Sequence, residues 1–187
     1  MGKLVWKPGT MLYPVPAVLV TCGDMNNHNV CTVAWTGILN TDPAMTYISL
    51  RKERHSYDII KETNEFVINL VPKELVKALD YCGVRSGKNE NKFETMKLEI
   101  EEAQNVSVPL IKQSPVNIEC RVTKIIPLGS HDMFMAEILS VDVDDRYLDE
   151  NGKFDLEKCN LVAYSHGQYY QLGENLGKFG FSVEKKK

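Results

Sequence analysis

The sequence predicts a mainly β protein, an antiparallel β-barrel with peripheral helices. Three observations carry this expectation. Short runs rich in β-branched and apolar residues recur between clusters of Gly, Asn, Asp and Pro. The run Val116-Asn117-Ile118-Glu119-Cys120-Arg121-Val122-Thr123 alternates apolar with polar, the period of a strand with one wet face, which favours an antiparallel sheet. Several connections have hairpin length, and the strand–helix–strand rhythm of a parallel sheet is missing.

Taken in order, Ala17 to Cys22 is the first strand, and Gly23-Asp24-Met25-Asn26-Asn27 is turn chemistry. Val30 to Trp35 extends again, Gly37 to Pro43 breaks it, and Met45 to Leu50 makes a third strand. Arg51 to His55 is a basic connection. Ser56 stands at the N-cap position of a short helix from Tyr57 to Glu62, with an acid early and a lysine late. Glu65 to Leu70 reads as a fourth strand. Pro72 opens a second helix, Lys73 to Tyr81, in which Leu75, Val76 and Leu79 share a face and after which Gly83 stops the turn. Cys82 to Asn91 is a charged loop long enough to imply disorder or a function. Beyond the alternating strand, Leu128 to Asp132 turns the chain. Met133 to Val143 returns as its partner, with a shift of alternation near Ile138-Leu139 that a β-bulge would cause. Asp144 to Lys158 is polar and loop-like, and Leu161 to Tyr164 is a last short strand.

At 187 residues the chain has room for one domain, expected to span 1–187, and its 43% hydrophobic content is too high for a disordered protein. The formal charge is −3, and three of the cations are the terminal Lys185, Lys186 and Lys187. The body is therefore acidic, which argues against broad nucleic-acid binding. No uncharged run is long and apolar enough to span a membrane. The first residues lack the apolar core of a secretory signal, so a cytoplasmic location is expected. Five cysteines, an odd number without C-x-x-C or zinc spacing, read as reduced thiols without a catalytic role.

No metal, nucleophile, Rossmann or Walker motif is present. What remains is an anion-binding pattern. Arg51, Lys52 and Arg54 follow a strand, and Ser56 opens the next helix, so cations, a hydroxyl and free helix N–H groups converge as a phosphate monoester requires. The same residues also fit a solvated basic turn with an ordinary cap. Arg85-Ser86-Gly87-Lys88, with Lys92, could add a cation to that anion or be a surface loop. Thr32-Val33-Ala34-Trp35-Thr36-Gly37 sets small residues beside a Trp, which lets a planar ring approach the backbone; a core Trp at a barrel corner would look alike.

Together, Thr32 to Gly37, Pro43, Ile48-Ser49-Leu50-Arg51, Ser56 to Ile60 and Glu65 to Leu70 resemble the flavin reductase-like family, especially its flavoredoxin branch. The resemblance continues through Ser86-Gly87, Asn91-Lys92-Phe93-Glu94, Gly129-Ser130-His131-Asp132 with Glu137, and Gln168 to Gly173. It implies an FMN-binding split β-barrel that dimerises, with FMN held noncovalently near the subunit interface. On these residues, Thr32, Val33, Ala34, Trp35 and Thr36 would lie along the isoalloxazine. Ser49, Leu50, Arg51 and Lys52 would follow the ribityl chain, Ser56 would cap both its helix and the phosphate, and Ser86 and Lys92 would close the anion site. Asn69 falls in the same block and is as well placed to brace backbone as to touch the cofactor.

The implied activity is hydride transfer from NADH or NADPH through FMN to an acceptor, which could be a redox protein; a non-catalytic flavin-binding sensor or storage barrel is the alternative. No side-chain acid, base or nucleophile is needed, because the cofactor carries the chemistry. His131 is the side chain nominated to contact the nicotinamide, although an exposed turn histidine would sit there equally well. No nicotinamide-phosphate clamp is recognisable, so the choice of donor stays open. Tyr164, His166, Tyr169 and Tyr170 could roof the flavin, pack across a dimer interface or fill core, and Met133 and Met135 read as core filling.

Overall fold

Seven strands bond edge to edge in one antiparallel sheet of the computed structural model, which describes residues 2–184; Met1 and the terminal Lys185, Lys186 and Lys187 lie outside the described residues. In chain order the elements are β1 (Val15–Pro16), β2 (Val18–Gly23), β3 (His28–Val33), β4 (Thr36–Thr41), β5 (Ala44–Leu50) and α1 (His55–Thr63). They continue with β6 (Glu65–Leu70), α2 (Val76–Val84), α3 (Lys92–Met96), β7 (Ile100–Glu101) and β8 (Leu110–Ile111). The last strands are β9 (Val116–Pro127), β10 (Asp132–Val143), β11 (Val162–Ser165) and β12 (Gln168–Gln171).

The large sheet runs β3-β2-β6-β9-β10-β5-β4. Its two edge strands, β3 and β4, are consecutive in the chain, joined only by Ala34 and Trp35. The sheet therefore curls until its ends meet there, and the Ser49 N–H donates to the Trp35 carbonyl at 2.8 Å, which carries the β4–β5 ladder up to the seam. This is a split barrel, mainly β and antiparallel as the sequence predicts.

Both faces of β2 are buried, which explains its continuous apolar run. Val18, Val20 and Cys22 enter the barrel core with Ile48, Phe66, Ile68, Cys120 and Phe134, and Tyr57 and Ile60 of α1 join them. Leu19 points the other way, into a second core with Val30, Leu79, Cys82, Phe93 and Ile111 beneath α2 and α3. All five cysteines are free and buried. Burial raises the thiol pKa of Cys22 to about 12 and that of Cys82 to about 11, so both stay protonated and inert.

Four expectations need correction. Thr36–Thr41 is a strand, not a break; as an edge strand it leaves Ile38 84% exposed, so it carries no core alternation to read. Ser56 is not an N-cap: Arg54 holds that position and Ser56 lies inside the first turn, fully buried. The second helix is a 3-10 turn, Lys73–Leu75, followed by α2, and Gly83 is internal to it. A Cβ on Gly83 would meet the Thr32 side chain at 3.3 Å, so this glycine serves close approach of α2 to β3, not termination. Finally, the polar face of β9 is not wet at Asn117 and Glu119, both buried. The 99–114 segment covers them. Glu119 accepts N–H bonds from Gln104 at 2.8 Å and Asn105 at 2.6 Å, and Asn117 Nδ2 donates to Asn69 Oδ1 at 2.7 Å and to the Ile111 carbonyl at 3.1 Å. The bulge is where the alternation shifts: the β9–β10 register slips between Ile138 and Ser140, and again between Met135 and Ala136.

Candidate functional site

Three clefts meet at the barrel seam. β5 ends at Leu50, and the turn after it throws Arg51 and Arg54 outward before α1 begins. With Arg85 and Ser86 from the loop after α2, these arginines line a cationic cleft of about 540 Å³, floored by His55, Ser56 and Asn29. Arg51 and Arg54 also line a second cleft of about 350 Å³, formed by Thr32, Ala34, Trp35, Ser49, Leu50 and Gly83, with Tyr164, Tyr169 and His131 around it. Ala34, Trp35, Ser49 and His131 are in turn shared with a third, largest cleft of about 760 Å³, which reaches Met11, Leu12, Tyr47, Leu128 and Met133. The shared walls make one trough, cationic at one end and uncharged at the other.

The cationic end is built by buried polar bonds. Asn29 on β3 donates from Nδ2 to Ser56 Oγ at 2.8 Å. Gly87 closes against that amide, since a Cβ there would fall 2.0 Å from Asn29 Oδ1. Arg54 Nη1 donates to the Gly83 carbonyl at 2.6 Å. Lys92 Nζ donates to the carbonyls of Cys82 at 3.3 Å and Arg85 at 3.2 Å. Two cations thus satisfy the carbonyls left open at the end of α2, where the helix dipole is negative. Burial lowers the Lys92 pKa.

The residues singled out from the sequence fall into groups. Ala34, Trp35, Ser49 and Arg51 line the trough directly, as do Ser86 at one end and His131 at the other. Thr32 and Thr36 also line it, but their hydroxyls are committed: Thr32 Oγ1 donates to the Leu79 carbonyl, and Thr36 Oγ1 to the Tyr47 carbonyl at 2.6 Å. Val33 and Leu50 put their side chains into the barrel core, although Leu50 also borders the second cleft. Ser56 and Lys92 border the cationic cleft from below as buried, bonded groups. Lys52 lines none of these clefts; its Nζ lies 3.6 Å from Asp132 Oδ1. Asn69 braces backbone: its Nδ2 donates to the Leu19 carbonyl at 3.0 Å, and its Oδ1 accepts the Ile111 N–H at 2.9 Å.

His131 is half-buried, with Nδ1 3.0 Å from Ser130 Oγ. Burial, then the positive charge of Arg51, lowers its pKa, so at neutral pH the imidazole is neutral. Tyr164 and Tyr169 stand over the second cleft with ring centroids 5.7 Å apart, and Tyr13 reaches within 6.2 Å of Trp35. The Tyr169 hydroxyl donates to Asp80 at 3.1 Å. Tyr170 and His166 are exposed and line none of the clefts, and Met133 lines the third cleft in place of filling core. Asn29 and Gly87 were not legible as site residues. A buried amide next to the apolar Val30-Cys31 pair was the one signal available for Asn29. Among the described residues no cluster of His, Cys, Asp and Glu could hold a metal ion, and no helix is long and apolar enough to cross a membrane.

The flavin reductase like domain model matches residues 10–173. An uncharacterized protein of Archaeoglobus fulgidus is 35% identical over 159 residues, covering 85% of this chain and 88% of its own. The flavoredoxin of Desulfovibrio vulgaris (Miyazaki F) superposes with a TM-score of 0.89 at 31% identity, over 98% of this chain and 100% of that one. Flavoredoxin from Methanosarcina acetivorans follows with a TM-score of 0.88 at 25% identity and the same coverage. By its sequence, by its split barrel and by these relatives, the chain belongs to the flavin reductase-like family of flavin-binding oxidoreductases, in the flavoredoxin branch.

Proposed function

We propose that the protein is an FMN-dependent oxidoreductase that receives hydride from NADH or NADPH and passes electrons to an acceptor, working as a homodimer. The observation that carries this reading is the trough itself, with cations at one end, an aromatic-walled middle and a neutral far end. A mononucleotide has that polarity: a phosphate dianion on one side and a flat ring on the other.

The residues fit the group. Arg51, Arg54, Arg85 and Ser86 would hold the phosphate, with the N-terminal N–H groups of α1 adding the positive end of its dipole. Gly87 supports the fit, because its missing Cβ lets the loop carrying Ser86 close on Asn29 beside the cations. Ala34 and Ser49, both small, would leave the ring room against the backbone, while Trp35 and Tyr164 exclude water at its sides. When bound, the flavin supplies the hydride and electron chemistry that no side chain here has. Arg51 and Arg54 face both clefts and would stabilise negative charge anywhere between the phosphate and the near edge of the ring. Neutral His131 would orient a nicotinamide by a hydrogen bond without adding charge. Lys52, paired with Asp132, is left out of the cofactor set.

An anaerobic titration tests this. The purified protein is expected to bind FMN and turn yellow, and NADH or NADPH is expected to bleach the flavin absorbance. Failure to take up FMN overturns the proposal. Uptake without bleaching by either nicotinamide removes the direct donor and leaves a flavin protein reduced by another redox protein.

A further inference from the structure

Resting on the flavin reading above, we infer that the third cleft binds an uncharged planar aromatic carbonyl compound, presented edge-on to the seam where Trp35 and His131 separate it from the ring position. The lining decides the chemistry. Met11, Leu12, Val15, Leu128 and Met133 provide aliphatic surface, and Trp35 and Tyr47 provide flat aromatic walls. None of the lining residues is Lys, Arg, Asp or Glu. This contrasts with the cationic cleft at the other end of the trough, where Arg51, Arg54 and Arg85 converge.

A pocket without a counter-ion discriminates against charge, because an ionised carboxylate or phosphate loses its hydration and gains no partner. A neutral ring gains dispersion and apolar burial against Trp35, Tyr47 and the aliphatic wall. The polar side chains of the lining are all uncharged hydroxyls, those of Thr10, Thr36, Tyr47, Ser49 and Ser130, together with the His131 imidazole, and the Thr36 hydroxyl is committed to the Tyr47 carbonyl. Nδ1 of His131 is engaged with Ser130 Oγ at 3.0 Å, and its Nε2 has no partner among the described residues. A free imidazole edge and neutral hydroxyls, in a cleft without a charged side chain, suit a carbonyl oxygen on a flat ring. The volume of about 760 Å³ lies within the range of small-molecule sites. A second copy of the chain is the competing occupant, since Leu12 and Leu128 are exposed on the rim.

The test uses FMN-loaded protein in a Trp6→Phe background, so that emission reports Trp35 alone. FMN uptake is read first from the flavin absorbance; failure there is failure of the flavin reading, not of this one. The loaded protein is then titrated with 4-methoxybenzaldehyde and, separately, with 4-methoxybenzoate, following the flavin spectrum and Trp35 quenching. The aldehyde is expected to saturate both signals, and the carboxylate to bind at least about tenfold more weakly. Met133→Lys, which places a cation in the cleft, is expected to invert that preference. Leu128→Lys, at a 60% exposed site, does the same where the first variant fails to fold. Equal affinity for the two probes, tighter binding of the carboxylate to the unmodified cleft, or a cleft closed to both probes by a second copy would each overturn the inference.

Discussion

Arg51 and Lys52 are neighbours in sequence with different fates, and the reason is a partner far along the chain. Asp132 is 3% exposed and accepts from the Tyr57 hydroxyl at 2.6 Å through Oδ2, while its Oδ1 faces Lys52 Nζ. Nothing local to residues 51–56 encodes that partner, so the cation cluster was legible and its division was not. Arg51 is exposed and unbonded to the fold, so Arg51→Ala should weaken FMN binding by about 1.5–3 kcal/mol, the scale of a hydrogen bond to a charged group, while leaving the unfolding midpoint in place. Calorimetric titration checks this, and an unchanged dissociation constant places the phosphate elsewhere. Tyr57 makes a separate prediction. Its hydrogen bond to Asp132, with burial, raises its pKa from 10.0 to about 12. The folded state therefore holds the proton longer than the unfolded chain, and the associated stability is full below about pH 10 and is lost as pH rises toward 12. Tyr57→Phe leaves Asp132 buried with one donor fewer, at a cost of about 1–3 kcal/mol at neutral pH. It should also flatten the loss of stability above pH 10. Urea midpoints at pH 7 and through the alkaline range measure both effects, and parallel alkaline limbs in the two proteins would contradict the assignment.

At the scale of elements, the strands of the barrel were legible wherever burial shows in the sequence, as a continuous apolar run in β2 and β6 and as alternation in β9. They were hidden where packing comes from outside the strand. β4 has no core face to show, and the polar face of β9 looks wet until the 99–114 segment, itself almost devoid of pattern, folds over it. That segment is held by polar groups presented from the sheet: Asn69 to the Ile111 N–H, Glu119 to Gln104 and Asn105, and Glu65 to the Ser107 N–H at 2.9 Å. Asn69 is also the hinge of the arrangement, because its amide bonds the Leu19 carbonyl on β2 and Asn117 on β9. Asn69→Ala is therefore expected to cost about 1–3 kcal/mol by orphaning buried partners. Amide exchange should accelerate at Ile111 and much less at Gln104 and Asn105, whose acceptor Glu119 is untouched, and FMN affinity should hold because no cleft of the trough includes Asn69. Uniform acceleration across 99–114 would show that the segment opens as one unit and that Asn69 is not its local anchor.

For the molecule as a whole, the barrel closes on itself at Ala34–Trp35, and the site gathers there because the seam is where main chain, strand ends and helix starts coincide. The order of motifs along the sequence made that gathering readable through family resemblance; the joining of the three clefts into one trough was not, since it depends on Tyr164, Tyr169 and the 9–12 segment arriving from opposite ends of the chain. The same ends leave apolar side chains in water. Val5, Leu12, Leu176 and Phe179 are each more than four-fifths exposed, and so is Ile38 on β4. A monomer rarely shows so much apolar surface in its segments without covering it, and the chain's modest net charge of −3 offers little repulsion against self-association. Sedimentation at micromolar concentration should therefore give the mass of two chains. Because Ile38 is 84% exposed within one chain, Ile38→Glu has no core to disturb and should leave the folded protomer as stable as before. In a dimer that buries this edge strand, the same change sets a carboxylate into an apolar contact and should raise the dissociation constant by about tenfold or more. A sedimentation profile already monomeric at tens of micromolar, or one that Ile38→Glu does not move, would assign the exposed edge to something other than a second copy.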